Sequence, residues 1–152
     1  MPDKKESPKN SMNVKAVNCF WSVIAGLSKD IPSFTIYRAR SFAYIGYKLI
    51  STKEDLNTSS PYSSLYNDDQ FQRILKNPLS AFKYATDELP NDEVVLNRKG
   101  TSLWLMFKYR PAATEDENRK YLDDAAEILS FSITQNPPSS PSRFFNQNER
   151  LF

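Results

Sequence analysis

Apolar residues along this chain fall into runs of differing period, and the period sets the element expected in each run. Val14, Val17, Trp21, Ile24 and Ala25 recur at helical spacing, with Ala16, Phe20, Val23 and Leu27 as a second stripe beside them. Ser11 is placed to cap this helix. A helix apolar over more than half its circumference is either deeply buried or offers a stripe to a partner. The core helix is the favoured reading, because large exposed apolar patches are uncommon on monomers. Lys29-Asp30-Ile31-Pro32 ends it, since the residue before a proline is pushed out of helical geometry.

Phe34 to Tyr37 is short, aromatic and β-branched, which predicts a strand. From Ala39 the period changes, and Ala39, Phe42, Ala43, Gly46, Leu49 and Ile50 fall on one helical face. Residues 51–67, rich in Ser, Thr and Asn around Pro61, read as a long loop. Asp68 and Asp69 then open a helix carrying Phe71, Ile74 and Leu75, which Asn77-Pro78 breaks. A short helix with Leu79, Phe82 and Ala85 on one face follows.

The stretch Thr101 to Arg110 reads as the floor of the core. If it is extended, Leu103, Leu105, Phe107 and Tyr109 line one face and Trp104 and Met106 the other. Glu93 to Asn97 reads as a partner strand, and Asn97-Arg98-Lys99-Gly100 has the chemistry of a hairpin turn. Thr114 to Glu117 forms a capping box, after which Tyr121, Leu122, Ala125, Ile128, Leu129 and Ile133 predict a helix of about five turns packed on the hairpin. The pattern as a whole predicts an α+β fold. It is one helix-dominated domain over residues 11–135, with a β-hairpin and optionally a third strand packed against helices. A disordered arm is expected at 1–10 and a disordered tail at 136–152, where prolines and polar residues leave too little apolar surface to offset ordering.

Composition narrows the function more than the pattern does. The chain contains no histidine, which removes the commonest general acid–base group and transition-metal ligand, and with them Ser-His and Cys-His nucleophile pairs. Its three glycines, Gly26, Gly46 and Gly100, are isolated, so no phosphate-cradling loop is available, and no cofactor is expected. The net charge of +2 is too small to argue for an anionic partner by itself. Cys19, the single cysteine, cannot form an internal disulfide and sits in an apolar stretch as a small hydrophobe, which suggests a reducing compartment, cytoplasmic or nuclear. The longest apolar window, Val14 to Leu27, is too short to cross a bilayer, and no secretory signal is expected. Asn57-Thr58-Ser59 has the form of a glycosylation acceptor that would then be idle.

Several residues remain as candidate contacts. Arg38, Arg40, Lys48 and Lys53 are interleaved with Tyr37, Tyr44 and Tyr47, and Arg98, Lys99, Lys108 and Arg110 cluster about the expected hairpin. Cations among rings suit a nucleic-acid backbone or another anionic surface, although such runs are more often solvated faces. A basic hairpin tip after two helices resembles the wing of a winged-helix DNA-binding domain, a likeness of architecture over Asp68 to Arg110 that implies contact with phosphates. Asp123 or Asp124 could share a helical face with Glu127 as a divalent-metal site, but Arg119 and Lys120 one turn earlier favour a solvated face.

In the tail, the apolar pairs Phe144-Phe145 and Leu151-Phe152 have the form of a short linear motif, or of a segment that tucks back onto its own domain. Ser7 and Ser140 precede prolines, as phosphorylation sites of proline-directed kinases do. The expected function is that of a non-catalytic structural or interaction protein. It would bind protein partners, a second copy of itself included, through the first helix at Trp21 and through the tail; scaffolding and viral matrix-like proteins are similar in composition alone. A nucleic-acid-binding module is the alternative, and a carboxylate-dependent metal enzyme the least favoured.

Overall fold

A computed structural model of the chain describes residues 8–52 and 68–135. Six α-helices and one 3-10 turn make up its regular elements: α1 (Pro8–Gly26), the 3-10 turn (Pro32–Phe34), α2 (Thr35–Ser51), α3 (Asp69–Lys76), α4 (Ser80–Glu88), α5 (Glu93–Tyr109) and α6 (Glu115–Gln135). No strand occurs among the described residues, so the fold is a single helical domain and the expected α+β class is corrected. Of the loop expected over 51–67, Ser51 ends α2 and Thr52 caps it, and 53–67 lie outside the described residues, as do Asn57-Thr58-Ser59, Ser7, Ser140, Phe144, Phe145, Leu151 and Phe152.

The hairpin is the main correction. Asp92 accepts hydrogen bonds from the Val94 and Val95 N–H groups and so starts a helix at Glu93, which then runs unbroken through Asn97-Arg98-Lys99-Gly100 to Tyr109. Gly100 is not a turn residue. A Cβ placed there would come 2.6 Å from Cγ and Cδ2 of Leu129, so the glycine is what lets α6 lie close against α5. Without a hairpin there is no wing, and the winged-helix likeness falls with it. The expected third strand fails in the same way, because Phe34 closes the 3-10 turn and Thr35, Ile36 and Tyr37 form the first turn of α2.

The centre of the domain is α2, which packs against α1, α4 and α5. The face expected from sequence, Ala39, Phe42, Ala43, Gly46, Leu49 and Ile50, is buried, and Arg38, Ser41 and Ile45 widen it. Its small residues seat the neighbours: a Cβ on Gly46 would meet Phe82 Cε2 at 2.9 Å and the Pro78 carbonyl at 3.0 Å. Phe42, Phe71 and Phe82 are fully enclosed, each such ring being worth on the order of 1.5–3 kcal/mol in transfer from water.

Val17, Trp21 and Ile24 of α1 join this core, and the Trp21 ring sits 4.8 Å from that of Phe71 and 6.3 Å from that of Phe42. Cys19 is exposed, against expectation, because it lies about 200° around α1 from Val17. The helix also begins at Pro8, inside the segment expected to be an arm, with proline at a first-turn position that does not need its N–H.

The last helix forms where the capping box placed it, with Thr114 Oγ1 accepting from the Glu117 N–H at 3.1 Å. It packs on α5. Ala125 is buried against it, whereas Ile133, expected on the same face, is 62% exposed.

Candidate functional site

Among the described residues, a groove lies where the start of α2 meets the connection between α4 and α5. Ile31 is extended, at φ −102° and ψ 111°, as a residue before proline must be, and Pro32 then opens the 3-10 turn. That turn delivers Thr35 and Ile36 to the first turn of α2. The opposite wall begins at Leu89, which ends α4 with its N–H on the Ala85 carbonyl at 2.9 Å, and continues through Pro90 and Asn91 to Asp92, the N-cap of α5. Between the walls is an open groove of about 610 Å³ lined by Pro32, Ile36, Leu89 and Pro90, with Ser33, Thr35, Asn91 and Asp92 at its polar edge.

Two arginines of α2 hold the second wall in place. Arg38 donates through Nε and Nη2 to both carboxylate oxygens of Glu88 at 3.0 Å, and through Nη1 to the Ile24 and Leu27 carbonyls at 2.5 and 2.7 Å. One side chain therefore closes the end of α1 and grips the end of α4. Arg40 makes a second two-pronged pair, Nε and Nη2 to the Asp92 carboxylate at 2.9 and 2.8 Å, across the start of α5. Those hydrogen bonds raise the Arg40 pKa above its ordinary value, burial opposing and the Asp92 charge adding to them. Because residues two apart point to different sides of a helix, the two arginines secure the loop 89–91 at both ends.

The chain matches no family model, no curated protein and no solved structure. The reading of the groove therefore rests on its residues. They include no nucleophile with an adjacent base, and the one carboxylate lining it, Asp92, is held by Arg40 and by two backbone N–H groups. Among the described residues, no group of His, Cys, Asp or Glu could hold a metal ion. What the groove offers is apolar area: Ile36 is 37% exposed, and Ile31 and Tyr37 beside the lining residues are 43% and 61% exposed.

The residues singled out from sequence lie elsewhere or serve other ends. Arg38 and Arg40 are committed to carboxylates. Arg98 stacks on the rings of Tyr47 and Tyr44 at 4.8 and 5.3 Å, with Phe20 of α1 stacked on Tyr44 at 5.0 Å. The Lys108 ammonium sits 4.8 Å from the ring centre of Trp104 and 5.3 Å from that of Tyr109, Lys99 is half-buried, and Arg110 caps α5 with its N–H on the Met106 carbonyl. Trp21 is 3% exposed and has no surface to give a partner. Asp123 and Asp124 pair with Arg119 and Lys120 at 3.5 and 3.2 Å along the open face of α6.

Reasoning from sequence missed Pro32, Ile36, Leu89 and Pro90. Its available signal was a repeated one, an aliphatic residue before proline at Ile31-Pro32 and again at Leu89-Pro90. Such pairs end helices and leave a large apolar side chain on an extended backbone.

Proposed function

We propose that this chain is a non-catalytic interaction protein that holds a short, extended apolar segment of a protein in the groove beside Ile36. The observation that carries the reading is the exposure of Ile36 inside a concave, apolar surface whose far wall is clamped by Arg38 and Arg40. The groove is open rather than enclosing, as an extended peptide requires, and the ion pairs that fix its far wall reduce the reorganisation that binding asks of the protein. The first helix leaves this role because its apolar stripe is spent on the core. The nucleic-acid reading is not carried forward, since the Arg38 and Arg40 guanidinium groups are each paired with a carboxylate. A single exposed thiol suits a reducing compartment, cytoplasmic or nuclear. No helix of the described residues is long and apolar enough to cross a membrane.

The test is selection of a random peptide library on the native chain and on Ile36→Asp. The substitution puts a carboxylate in the first turn of α2, which has none, so it is compatible with the helix. Enriched peptides should carry adjacent large apolar residues and bind the variant at least tenfold more weakly. Peptides that bind both chains equally, or no enrichment, would overturn the proposal.

A further inference from the structure

We infer that the partner segment held in this groove is apolar and basic together: adjacent large apolar side chains seated on Ile36, Leu89 and the two prolines, with a lysine or arginine beside them placed between Asp30 and Asp87. The inference rests on the reading of the groove as a peptide site. The charge of its two walls leads there first. Residues 29–40 carry Lys29, Asp30, Arg38 and Arg40, and residues 87–93 carry Asp87, Glu88, Asp92 and Glu93, so five carboxylates stand against three cations. Both arginines are taken, Arg38 by Glu88 and Arg40 by Asp92, and the Glu93 charge acts on Arg40 as well. What is left over is acidic, on a chain whose net charge is +2.

The second observation is where the surplus lies. One guanidinium, that of Arg38, bonds the Leu27 carbonyl at 2.7 Å and the Glu88 carboxylate at 3.0 Å, so the end of α1 and the end of α4 meet there. Asp30 follows that carbonyl by three residues and Asp87 immediately precedes that carboxylate; both are exposed, and they flank the Leu89 end of the groove, one from each wall. Among the described residues neither has a cation at ion-pair distance. Asp87 also stands in the last turn of α4, which has no basic residue and whose unbonded carbonyls disfavour a carboxylate. Glu88 beside it is answered by Arg38, whereas Asp87 is left to repel the helix end. A cation supplied by the partner removes that repulsion. The third observation is the polar edge. Ser33 and Thr35 on one wall and Asn91 on the other have side chains with no hydrogen bond to another described residue. An extended segment carries N–H and C=O groups along both its sides, so these side chains hold its backbone while its apolar side chains fill the floor.

The experiment takes the peptides that the full native chain selects from the random library and measures their association and dissociation rates on that chain and on the full-length double variant Asp30→Asn/Asp87→Asn. Both positions are exposed, and asparagine in the last turn of α4 meets less repulsion than aspartate, so the variant keeps its fold. The expected result is enrichment of lysine or arginine beside the apolar residues, and binding to the double variant about three- to tenfold weaker at about 0.1 M salt, the range that two exposed ion pairs supply. The loss should lie mostly in the association rate, and it should vanish at about 1 M salt, where charges are screened beyond about 3 Å. A selected peptide whose lysine is acetylated should bind both chains alike. Peptides that require Ile36 yet show no excess of lysine or arginine, or that bind the double variant equally at low salt, would overturn the charge assignment and leave the groove standing. Peptides indifferent to Ile36→Asp would overturn the groove reading and this inference with it.

Discussion

The helices α2 and α6 differ less in length than in what surrounds them. Over 17 residues α2 buries nine, and it has α1, α4 and α5 around it. Over 21 residues α6 buries Ala125 and Ser132 among its described side chains, and it leans on α5. Apolar burial holds both, but only around α2 is it combined with ion pairs that close other elements. A helix docked on one neighbour opens at a lower free energy than one enclosed by three, so the two regions should separate in stability although they share α5. The groove belongs to the well-held region, which is what a binding surface with fixed walls requires.

The largest effect on this contrast should come from Arg38→Met. The substitution leaves Glu88 without its cation and removes donors from the Ile24 and Leu27 carbonyls, and breaking one side of a mostly buried pair costs about 2–4 kcal/mol when the partner keeps some access to water. Urea unfolding should show a lower midpoint with little change of slope. Adding Glu88→Leu should recover part of the loss, because no charge is then left unpaired. If Arg38→Met costs less than a substitution between α5 and α6, the ranking of the two regions is wrong.

Gly100→Ala should act on the other side of the comparison. An added methyl within 2.6 Å of Leu129 Cγ forces the two helices apart, at about 1–3 kcal/mol for overpacking, against roughly 1 kcal/mol regained in helix propensity. The net loss, up to about 2 kcal/mol, should appear in hydrogen exchange as reduced protection of α6 amides with α2 amides unchanged. Equal loss in both would mean that the chain opens as one unit.

Local chemistry made some of this architecture legible and hid the rest. Asp68 as a cap, the break at Asn77-Pro78 and the Thr114 box each act within four residues, so the sequence carries them whole. The face Ala39 to Ile50 was legible because one period fits it. Glu93 to Tyr109 was not. Leu103 to Phe107 is apolar at every position and satisfies strand and helix alike, Val94-Val95 favour strand, and Asn97 to Gly100 has turn chemistry. The choice between them is made by Asp92 at one end and by Leu129, distant in sequence, which needs a glycine opposite it. Arg38 and Arg40 looked available because their carboxylates are 50 and 52 residues away. The groove was hidden for the same reason, its walls being drawn from 32–36 and 89–92.

The smallest expected effect sharpens the comparison most. Thr114→Ala removes the Oγ1 that accepts from the Glu117 N–H at 3.1 Å and that lies 3.2 Å from the Glu117 carboxylate. The cap is exposed, and Glu115, Asp116 and Glu117 remain to offset the positive end of the helix, so the loss should be at the low end for caps, about 0.5–1 kcal/mol. At Asp92 the equivalent cap is also the anchor of Arg40, so a change there would disturb α2 and α5 together. Thr114 holds nothing but its own helix. Exchange rates should therefore rise about two- to fivefold over α6 and nowhere else, by the usual conversion of about 1.4 kcal/mol per tenfold. If α2 amides accelerate by the same factor, α6 unfolds only with the bundle, and its position on one neighbour does not make it the weaker part.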